Sequence, residues 1–348
     1  MSLPFDPACL PLLLGGLPHH SPAQALELTR RHAGTLLAWP QLPQLGLREQ
    51  PITQSAAGFP GLVLDEQRGQ LYVNRARAEE ELNRLALAYL INNTAYGALG
   101  TTDALGLEAL LQQRATLRGV RALKGQLLGP LSTAAQLTDE KQRPLMYDPH
   151  LFEALTQHTR LRAAWQEARL GELHGTTIIC LDEPFLELVG LPFSPLDWDA
   201  ARVSLDEVFG GIIGCKALYA GGAVDWTRVL QTAVELIIAD AYHHGAALVA
   251  AGAALGDFLR RGGLVGLGLV PADADELRQA EPPALLSRLE PTLVGLEAAG
   301  IPRALLLRQA VVTPAAALAT LDIPAAEQAL LLLAQTSALL RETYGLEA

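Results

Sequence analysis

Short apolar runs alternate along the chain with longer segments in which apolar residues recur at helical spacing. Most of these short runs end at glycine, proline or a polar cluster, which is typical of buried strands. Eight predicted strands cover residues 9–15, 35–39, 120–128, 177–181, 211–215, 236–240, 264–270 and 304–312. Predicted helices cover residues 22–32, 151–173, 226–236, 246–261, 274–299 and 324–344. Eight strands that alternate with helices predict a (β/α)8 TIM barrel.

A doubly wound sheet is the alternative for such an alternation. It is disfavoured because the glycine-rich stretches at 13–16 and 219–226 do not match a dinucleotide or phosphate-binding loop. We interpret residues 1–348 as one barrel domain with an insertion after the second strand, at about 44–118. Within this insertion the pattern predicts a β-hairpin at 61–74 and helices at 76–92 and 103–115.

Composition and charge narrow the class of protein. The chain has 37 acidic and 26 basic residues and a net charge of -11, which argues against a nucleic-acid partner. No stretch of about 18 apolar residues is present, and the apolar start lacks a basic segment, so we expect neither a membrane span nor a signal peptide. The three cysteines form no close pair. A soluble cytoplasmic protein is expected.

Polar residues at the predicted strand ends are the candidates for chemistry, because barrels of this kind carry their active sites at the carboxyl ends of the strands. These residues are His19, His20, Gln41, Lys124, Gln126, Asp182, Glu183, Cys215, Lys216, Asp240, His243 and His244. Alternation with period two places Cys180 with Asp182, and Lys124 with Gln126, on one face of their strands. Either pair can therefore face the lumen.

Asp182 and Glu183 form the strongest candidate, because an acid at the tip of a buried strand is costly unless it is paired or solvated. A catalytic or substrate-binding role competes with a carboxylate that hydrogen-bonds the backbone of its own loop. Lys124 lies within an apolar strand, and an ion pair with Asp182 or Glu183 competes with a catalytic role. For His19 two interpretations compete, contact with a ligand and a position in a solvated turn.

Seven segments together resemble the catalytic barrel of cobalamin-independent methionine synthase, in the broader group that contains uroporphyrinogen decarboxylase. They are LLLGGLPHHSPAQAL at 12–26, WPQLP at 39–43, KGQLLGPLS at 124–132, LDEPFL at 181–186, residues 215–226, GLGLVPAD at 266–273 and VTPAAALATL at 312–321. The resemblance runs almost from end to end, but it covers only the second of the two barrels of that synthase.

The resemblance implies a zinc site that converts a thiol to a thiolate, and a DEP acid that binds the amino group of homocysteine. Asp182 matches that acid, and Gly16, His19, Gln41 and Gln126 lie in segments associated with substrate. The sequence departs from the zinc pattern at Ile213, where the family has histidine, and at Ala316, where it has cysteine.

Cys215 and Asp240 are the ligands that this pattern leaves, one short of the usual three. His243 or His244, which follow Asp240 at helical spacing, or else His19, would complete the set.

Three functions follow from these residues. The first is a methyltransferase that acts on a small thiol such as homocysteine, with a corrinoid protein as the methyl donor and with bound zinc. The second is a non-catalytic barrel that binds an amino acid or a corrinoid. The third is a metal-free, decarboxylase-like enzyme in which Asp182 acts with Lys124 or Lys216 on a carboxylated substrate.

Overall fold

The computed structural model describes residues 3–113 and 117–346. Ten strands lie in these ranges: β1 Leu10–Pro11, β2 Leu36–Ala38, β3 Leu62–Asp65, β4 Gln70–Val73, β5 Ala122–Leu128, β6 Thr177–Asp182, β7 Cys215–Ala220, β8 Leu236–Ala239, β9 Leu264–Val270 and β10 Ala310–Pro314. Eight of them form a parallel sheet in the order β1-β10-β9-β8-β7-β6-β5-β2. Parallel bridges from Leu12 to Leu36 and from Gly16 to Gln41 join β1 to β2. The sheet therefore closes, and the predicted (β/α)8 barrel is confirmed.

Helices surround the ring. They are α1 Pro22–Ala33, α2 Pro51–Ala56, α3 Arg75–Leu90, α4 Leu105–Leu111, α5 Pro130–Gln136, α6 Pro149–Gly171, α7 Trp198–Phe209, α8 Trp226–Val229, α9 Ala241–Ala250, α10 Gly252–Arg260, α11 Ala274–Leu277, α12 Pro282–Ala298, α13 Arg303–Arg308 and α14 Ile323–Thr343. Among the described residues, α14 alone is long and apolar enough to cross a membrane. It packs against α1, α12 and β10, which accounts for its apolar side as part of the barrel wall.

Alternation along the strands divides the core into two layers. On β6, Ile178 and Cys180 belong to the cluster inside the barrel, whereas Ile179 and Leu181 pack outward against the helices. This arrangement follows from the two-residue period of a strand. It confirms that Cys180 shares the lumen face of its strand with Asp182.

The insertion folds much as its pattern predicts. β3 and β4 form an antiparallel hairpin with Leu62 opposite Val73, which confirms the prediction for 61–74. α3 matches the predicted helix at 76–92 to within two residues at each end. The helix predicted at 103–115 is shorter, since α4 ends at Leu111 and residues 114–116 lie outside the described ranges. The insertion packs on the barrel through α3 and α6.

Three strand predictions have wrong boundaries. The run at 9–15 forms a strand only at Leu10–Pro11. Residues 211–214 form a turn after α7, a helix that the sequence pattern did not indicate, and β7 begins only at Cys215. The run at 304–312 divides into α13 and β10, because three consecutive leucines fit a buried helix as well as a strand.

Three predicted helices also differ from the observed ones. α8 stops at Val229, well short of residue 236. The helix predicted at 246–261 begins earlier and is broken into α9 and α10. The one predicted at 274–299 is interrupted before Pro282, because proline favours a helix start over a helix interior.

Gly106 in α4 lies where the insertion packs closely against the barrel. A Cβ at this position would lie 1.8 Å from the carbonyl oxygen of Pro40, which follows β2. We expect Gly106→Ala to lower the free energy of unfolding by about 2 kcal/mol, because backbone must move to accommodate the methyl group. Urea denaturation measures this. Gly171→Ala in α6 is the matched control, since nothing lies within 4 Å of its Cβ; an equal loss in both variants would contradict the packing argument.

Candidate active site in the barrel lumen

Lys124 lies inside the barrel with no solvent exposure. Its Nζ donates hydrogen bonds to the carbonyl oxygen of Leu14 at 2.8 Å and to Oε1 of Gln126 at 3.1 Å. Gln126 in turn donates from Nε2 to the carbonyl oxygen of Trp39 at 2.9 Å. These contacts hold the ammonium group of Lys124 in one place between β1, β2 and β5.

Gly15 makes room for this arrangement. Its φ is +136°, and a Cβ there would lie 2.7 Å from Cδ of Gln126. Only glycine combines that backbone angle with so close a neighbour. The glycine pair at 15–16 therefore has a packing role next to the lumen.

Asp182 is the last residue of β6 and is partly exposed at the carboxyl end of the lumen. Among the described residues, its side chain accepts one hydrogen bond, from Sγ of Cys180 at 3.3 Å. Burial raises the pKa of Asp182 to about 6, against the opposing effects of the Lys124 cation and the Cys180 hydrogen bond. The carboxylate is thus ionised at neutral pH and keeps free acceptor capacity.

Tyr219 on β7 lies level with Asp182 in the strand register. Its hydroxyl donates to the carbonyl oxygen of Ala315, directly after β10, at 3.0 Å. Because β7 and β10 are three strands apart in the ring, the side chain crosses the lumen above Cys180. Burial, with a further contribution from the charge of Asp182, raises the pKa of Tyr219, so the phenol stays neutral.

Glu183 points away from the lumen and is fully buried. Its two carboxylate oxygens accept the backbone N–H groups of Leu131 at 3.1 Å and Ser132 at 2.7 Å, in the first turn of α5. Burial raises its pKa to about 7, and these hydrogen bonds oppose the rise. Glu183 is therefore a carboxylate bonded to backbone, the alternative to a catalytic role, although its donors belong to α5 and not to its own loop.

Asp240 follows β8 and begins α9. Its Oδ1 accepts the backbone N–H of His243 at 2.9 Å, and its Oδ2 lies 2.8 Å from Nδ1 of the same histidine. The other ring nitrogen of His243 lies 3.0 Å from Glu276 on α11. Burial lowers the pKa of His243, but Glu276 and Asp240 outweigh it and the net change is upward. His244 has φ −122° and ψ 26°, a kink in α9.

Cys215 does not lie at the carboxyl end of its strand, and its predicted position is wrong. It is the first residue of β7 and pairs with Ile178, whereas Asp182 pairs with Tyr219 four residues later. At about 3.3 Å per residue the separation along the barrel is about 13 Å. The cause is the turn at 211–214, which delays the start of the strand. Cys215 is therefore near the amino end of the lumen, and Asp240 is beyond the opposite end.

The zinc ligands that the sequence indicates consequently do not fit one ion. Catalytic zinc takes three protein ligands at about 2.0–2.3 Å, and Cys215 and Asp240 cannot approach the same point. Asp240 also has both oxygens engaged by His243. Within residues 3–113 and 117–346, no group of three histidine, cysteine or acidic side chains has a geometry that could hold a metal ion.

The remaining candidates lie around the lumen without facing it together. His19 is buried after β1, with Nε2 3.6 Å from Glu327 of α14, and burial lowers its pKa. Gly16 lies beneath the loop after β10, where a Cβ would be 3.1 Å from Cβ of Ala319. Gln41 is buried and donates from Nε2 to Gln54 at 2.8 Å. Thus Lys124 and Gln126 are hydrogen-bonded to each other inside the lumen, and Asp182 lies farther along it, at the carboxyl end. His19, Gly16 and Gln41 belong to the surrounding packing.

The sequence pattern did not indicate Tyr219 as a residue of the lumen. Had the strand been started at Cys215, the two-residue period would have placed residues 215, 217 and 219 on the lumen face. The early boundary at 211–215 removed Tyr219 from consideration. The omission and the misplaced cysteine therefore have one origin.

The fold and this site define a (β/α)8 barrel with a lysine and a carboxylate inside its lumen. No protein-family model matches the chain, and no curated protein sequence matches it. Among solved structures, the chain is similar to a methyltransferase from Methanosarcina mazei, with 11% sequence identity and a TM-score of 0.50 over 91% of this chain and 86% of that one. At this identity the likeness concerns the fold.

Proposed function

We propose that this protein is a methyltransferase-type barrel that binds a small thiol amino acid, homocysteine in the first instance, at the carboxyl end of its lumen. Asp182 binds the ammonium group of the ligand. A corrinoid protein is the expected methyl donor. The fold shared with a methyltransferase supports the class of reaction. The single observation that carries the ligand assignment is that the Asp182 carboxylate accepts one hydrogen bond, from a thiol, and keeps free acceptor sites.

Three carboxylates near this end of the barrel differ in what they can still bind. Glu183 has both oxygens on the N–H groups of α5, and Asp240 has both on His243. Asp182 is partly exposed and accepts one bond from a thiol, which leaves acceptor sites for the three N–H donors of an ammonium group. An ionised acid in a low-dielectric site binds such a cation more strongly than one in water.

A second candidate is a barrel that binds the same ligand without methyl transfer. The separation of Cys215 from Asp240 favours it, because the thiolate-activating zinc site that the resemblance implies cannot form from these residues. Production of methionine from homocysteine with methylcobalamin as the donor separates the two. Turnover supports the methyltransferase, and binding without turnover supports the non-catalytic barrel.

A decarboxylase-like function has less support from the site. Lys216 pairs with Ile179 near the amino end of β7, so it does not join Asp182. Lys124 already holds two hydrogen bonds inside the lumen. The carboxylate of Asp182 at the mouth of the lumen would thus repel a carboxylated substrate before the substrate reached a cation.

The proposal is tested by calorimetric titration of homocysteine at pH 7.5 into the native protein and Asp182→Asn. We expect Asp182→Asn to weaken binding about 30-fold, which corresponds to about 2 kcal/mol for the loss of an ion-paired hydrogen bond. 4-Mercaptobutyric acid, which is homocysteine without its ammonium group, should bind the native protein about as weakly as homocysteine binds Asp182→Asn.

Asp199→Asn is the matched control for this titration, because Asp199 is exposed in the first turn of α7. It should bind homocysteine like the native protein. Equal affinity of the native protein and Asp182→Asn for homocysteine would contradict the ligand assignment. So would native protein that binds 4-mercaptobutyric acid as tightly as homocysteine.

A further inference from the structure

Solvent reaches the lumen from its carboxyl end as far as the layer of Asp182. In this layer Tyr219 lies level with Asp182 in the strand register; Asp182 is partly exposed and Tyr219 keeps an exposure of 8%. One layer below, Gln126 and Ala217 lie level with Cys180, and none of these three side chains is more than 1% exposed. The boundary between solvent and core therefore falls between the two layers.

The side chain of Tyr219 covers the lower layer. Tyr219 and Cys180 belong to the same buried cluster inside the barrel. The phenol hydroxyl donates to the carbonyl oxygen of Ala315 at 3.0 Å, three strands away from β7. A Cβ on Gly221, two residues further along the chain, would lie 3.3 Å from this hydroxyl, so the phenol rises toward the mouth as it crosses. One aromatic ring thus separates the mouth from the interior of the barrel.

Two glycines of β9 leave room for this crossing. Alternation along the strand places Gly266 and Gly268 on the lumen face, since the residues on either side of Gly266 pack outward against the helices. A Cβ on Gly268 would lie 3.0 Å from Cα of Ala315, the residue that accepts the phenol hydrogen bond. β9 therefore places no side chain between Tyr219 and its acceptor, and the ring can reach the far wall.

We propose that Tyr219 is the floor of the ligand site and determines its specificity by setting its depth. A ligand held by Asp182 lies above the aromatic ring, and neither Cys180 nor Lys124, which lie in layers below it, contacts the ligand. The shallow site accepts a short side chain and rejects an aromatic one. The identity of the ligand rests on the proposed function, whereas the closure of the lumen by Tyr219 does not.

The closure is tested by the reactivity of the three cysteines, Cys9, Cys180 and Cys215, which are all buried. The probe is methyl methanethiosulfonate at pH 8.5, and mass spectrometry of peptides gives the rate at each thiol. In Tyr219→Ala we expect the rate at Cys180 to rise about tenfold, because solvent and probe enter the layer below the ring. Cys9 bonds the carbonyl of Leu307 and Cys215 lies near the amino end, so both rates should stay within about twofold of the native ones.

Tyr219→Phe is the matched control, since it keeps the ring and loses only the bond to Ala315. It should leave Cys180 as protected as in the native protein. If Tyr219→Ala does not fold, Tyr219→Val, which suits a strand better, takes its place with the same expectations. Two results overturn the inference: a Cys180 rate within about twofold of the native one in a folded variant, and rates that rise equally at all three cysteines.

Ligand binding supplies the second readout. Removal of the phenol leaves space for one aromatic ring beside Asp182, so Tyr219→Ala should bind L-phenylalanine about tenfold more tightly than the native protein does. The double variant with Asp182→Asn should lose this gain. A variant that exposes Cys180 and binds homocysteine, yet gains nothing for L-phenylalanine, would contradict the role of Tyr219 in specificity.

The two proposals fail in distinguishable ways. Selective modification of Cys180 in Tyr219→Ala, in a protein whose native form binds no homocysteine, would contradict the proposed function and support the closure of the lumen by Tyr219. Homocysteine binding that depends on Asp182, combined with an unchanged Cys180 rate in Tyr219→Ala, would do the reverse.

Discussion

Glu183→Ala is expected to lower the free energy of unfolding by about 3 kcal/mol at pH 5. The carboxyl oxygens accept two backbone N–H groups at the start of α5, and alanine leaves both of these donors without an acceptor. A buried N–H without an acceptor costs about 1–3 kcal/mol. At pH 5 the carboxyl group is neutral in the folded protein, because burial raises its pKa to about 7, so the variant gains nothing from the removal of a buried charge. Urea denaturation at pH 5 measures the change.

Glu187→Ala is the matched control for this variant. Glu187 lies in the same loop but is exposed, and its replacement should change the free energy of unfolding by less than about 0.5 kcal/mol. If Glu183→Ala were as stable as this control, the hydrogen bonds of Glu183 to α5 would not contribute to stability. An active-site role for Glu183 would then regain support.

Asp182→Asn is expected to have the opposite effect and to stabilise the protein at pH 7.5, by up to about 3 kcal/mol. Burial raises the pKa of Asp182 from 3.8 to about 6, so the folded protein holds this proton more tightly than the unfolded chain does. The free energy of unfolding therefore falls as pH rises from about 4 to about 6 and stays low above that range. A pKa difference of this size corresponds to about 3 kcal/mol of stability lost when Asp182 ionises. Asparagine does not ionise, so the variant does not lose this free energy.

The measurement is the difference in free energy of unfolding between the native protein and Asp182→Asn, taken from urea curves between pH 4 and pH 8. Subtraction removes the titration of other groups, Glu183 among them. The difference should be small near pH 4 and should grow in favour of the variant up to about pH 6.5. A difference that does not vary with pH would show that burial does not raise the pKa of Asp182. A gain in stability with a loss of ligand binding is the usual exchange at a functional site.

The two neighbouring acids illustrate how far sequence reasoning reached. An acid pair at the tip of a buried strand indicated either function or a carboxylate bonded to backbone. Glu183 fits the second description, and Asp182 keeps free acceptor sites, on which the proposed function rests. Alternation along β6 puts Asp182 in the lumen and turns Glu183 outward. The position of α5 decides which backbone groups donate to Glu183, and α5 follows β5, a different strand from the one that carries Glu183.

The position of Cys215 shows where sequence reasoning was wrong. Glycine and isoleucine at 210–214 fit a strand as well as a turn, and α7 was not recognised before them. An error of a few residues in a predicted strand boundary therefore places a side chain at the wrong end of the barrel. Metal ligation depends on distances of about 2 Å, so a boundary error of this size decides whether a metal site exists.

The sequence alone determined the ring of alternating strands and helices, the hairpin in the insertion, and that Cys180 shares a strand face with Asp182 and Lys124 with Gln126. These follow from hydrophobic periodicity, which is a local property of the chain. Only the tertiary structure decided that Lys124 bonds Leu14 and Gln126, that Tyr219 crosses the lumen to Ala315, and that Cys215 lies far from Asp240. Those relations join residues on different strands, and the register between strands is set by the closure of the barrel and the packing of its helices.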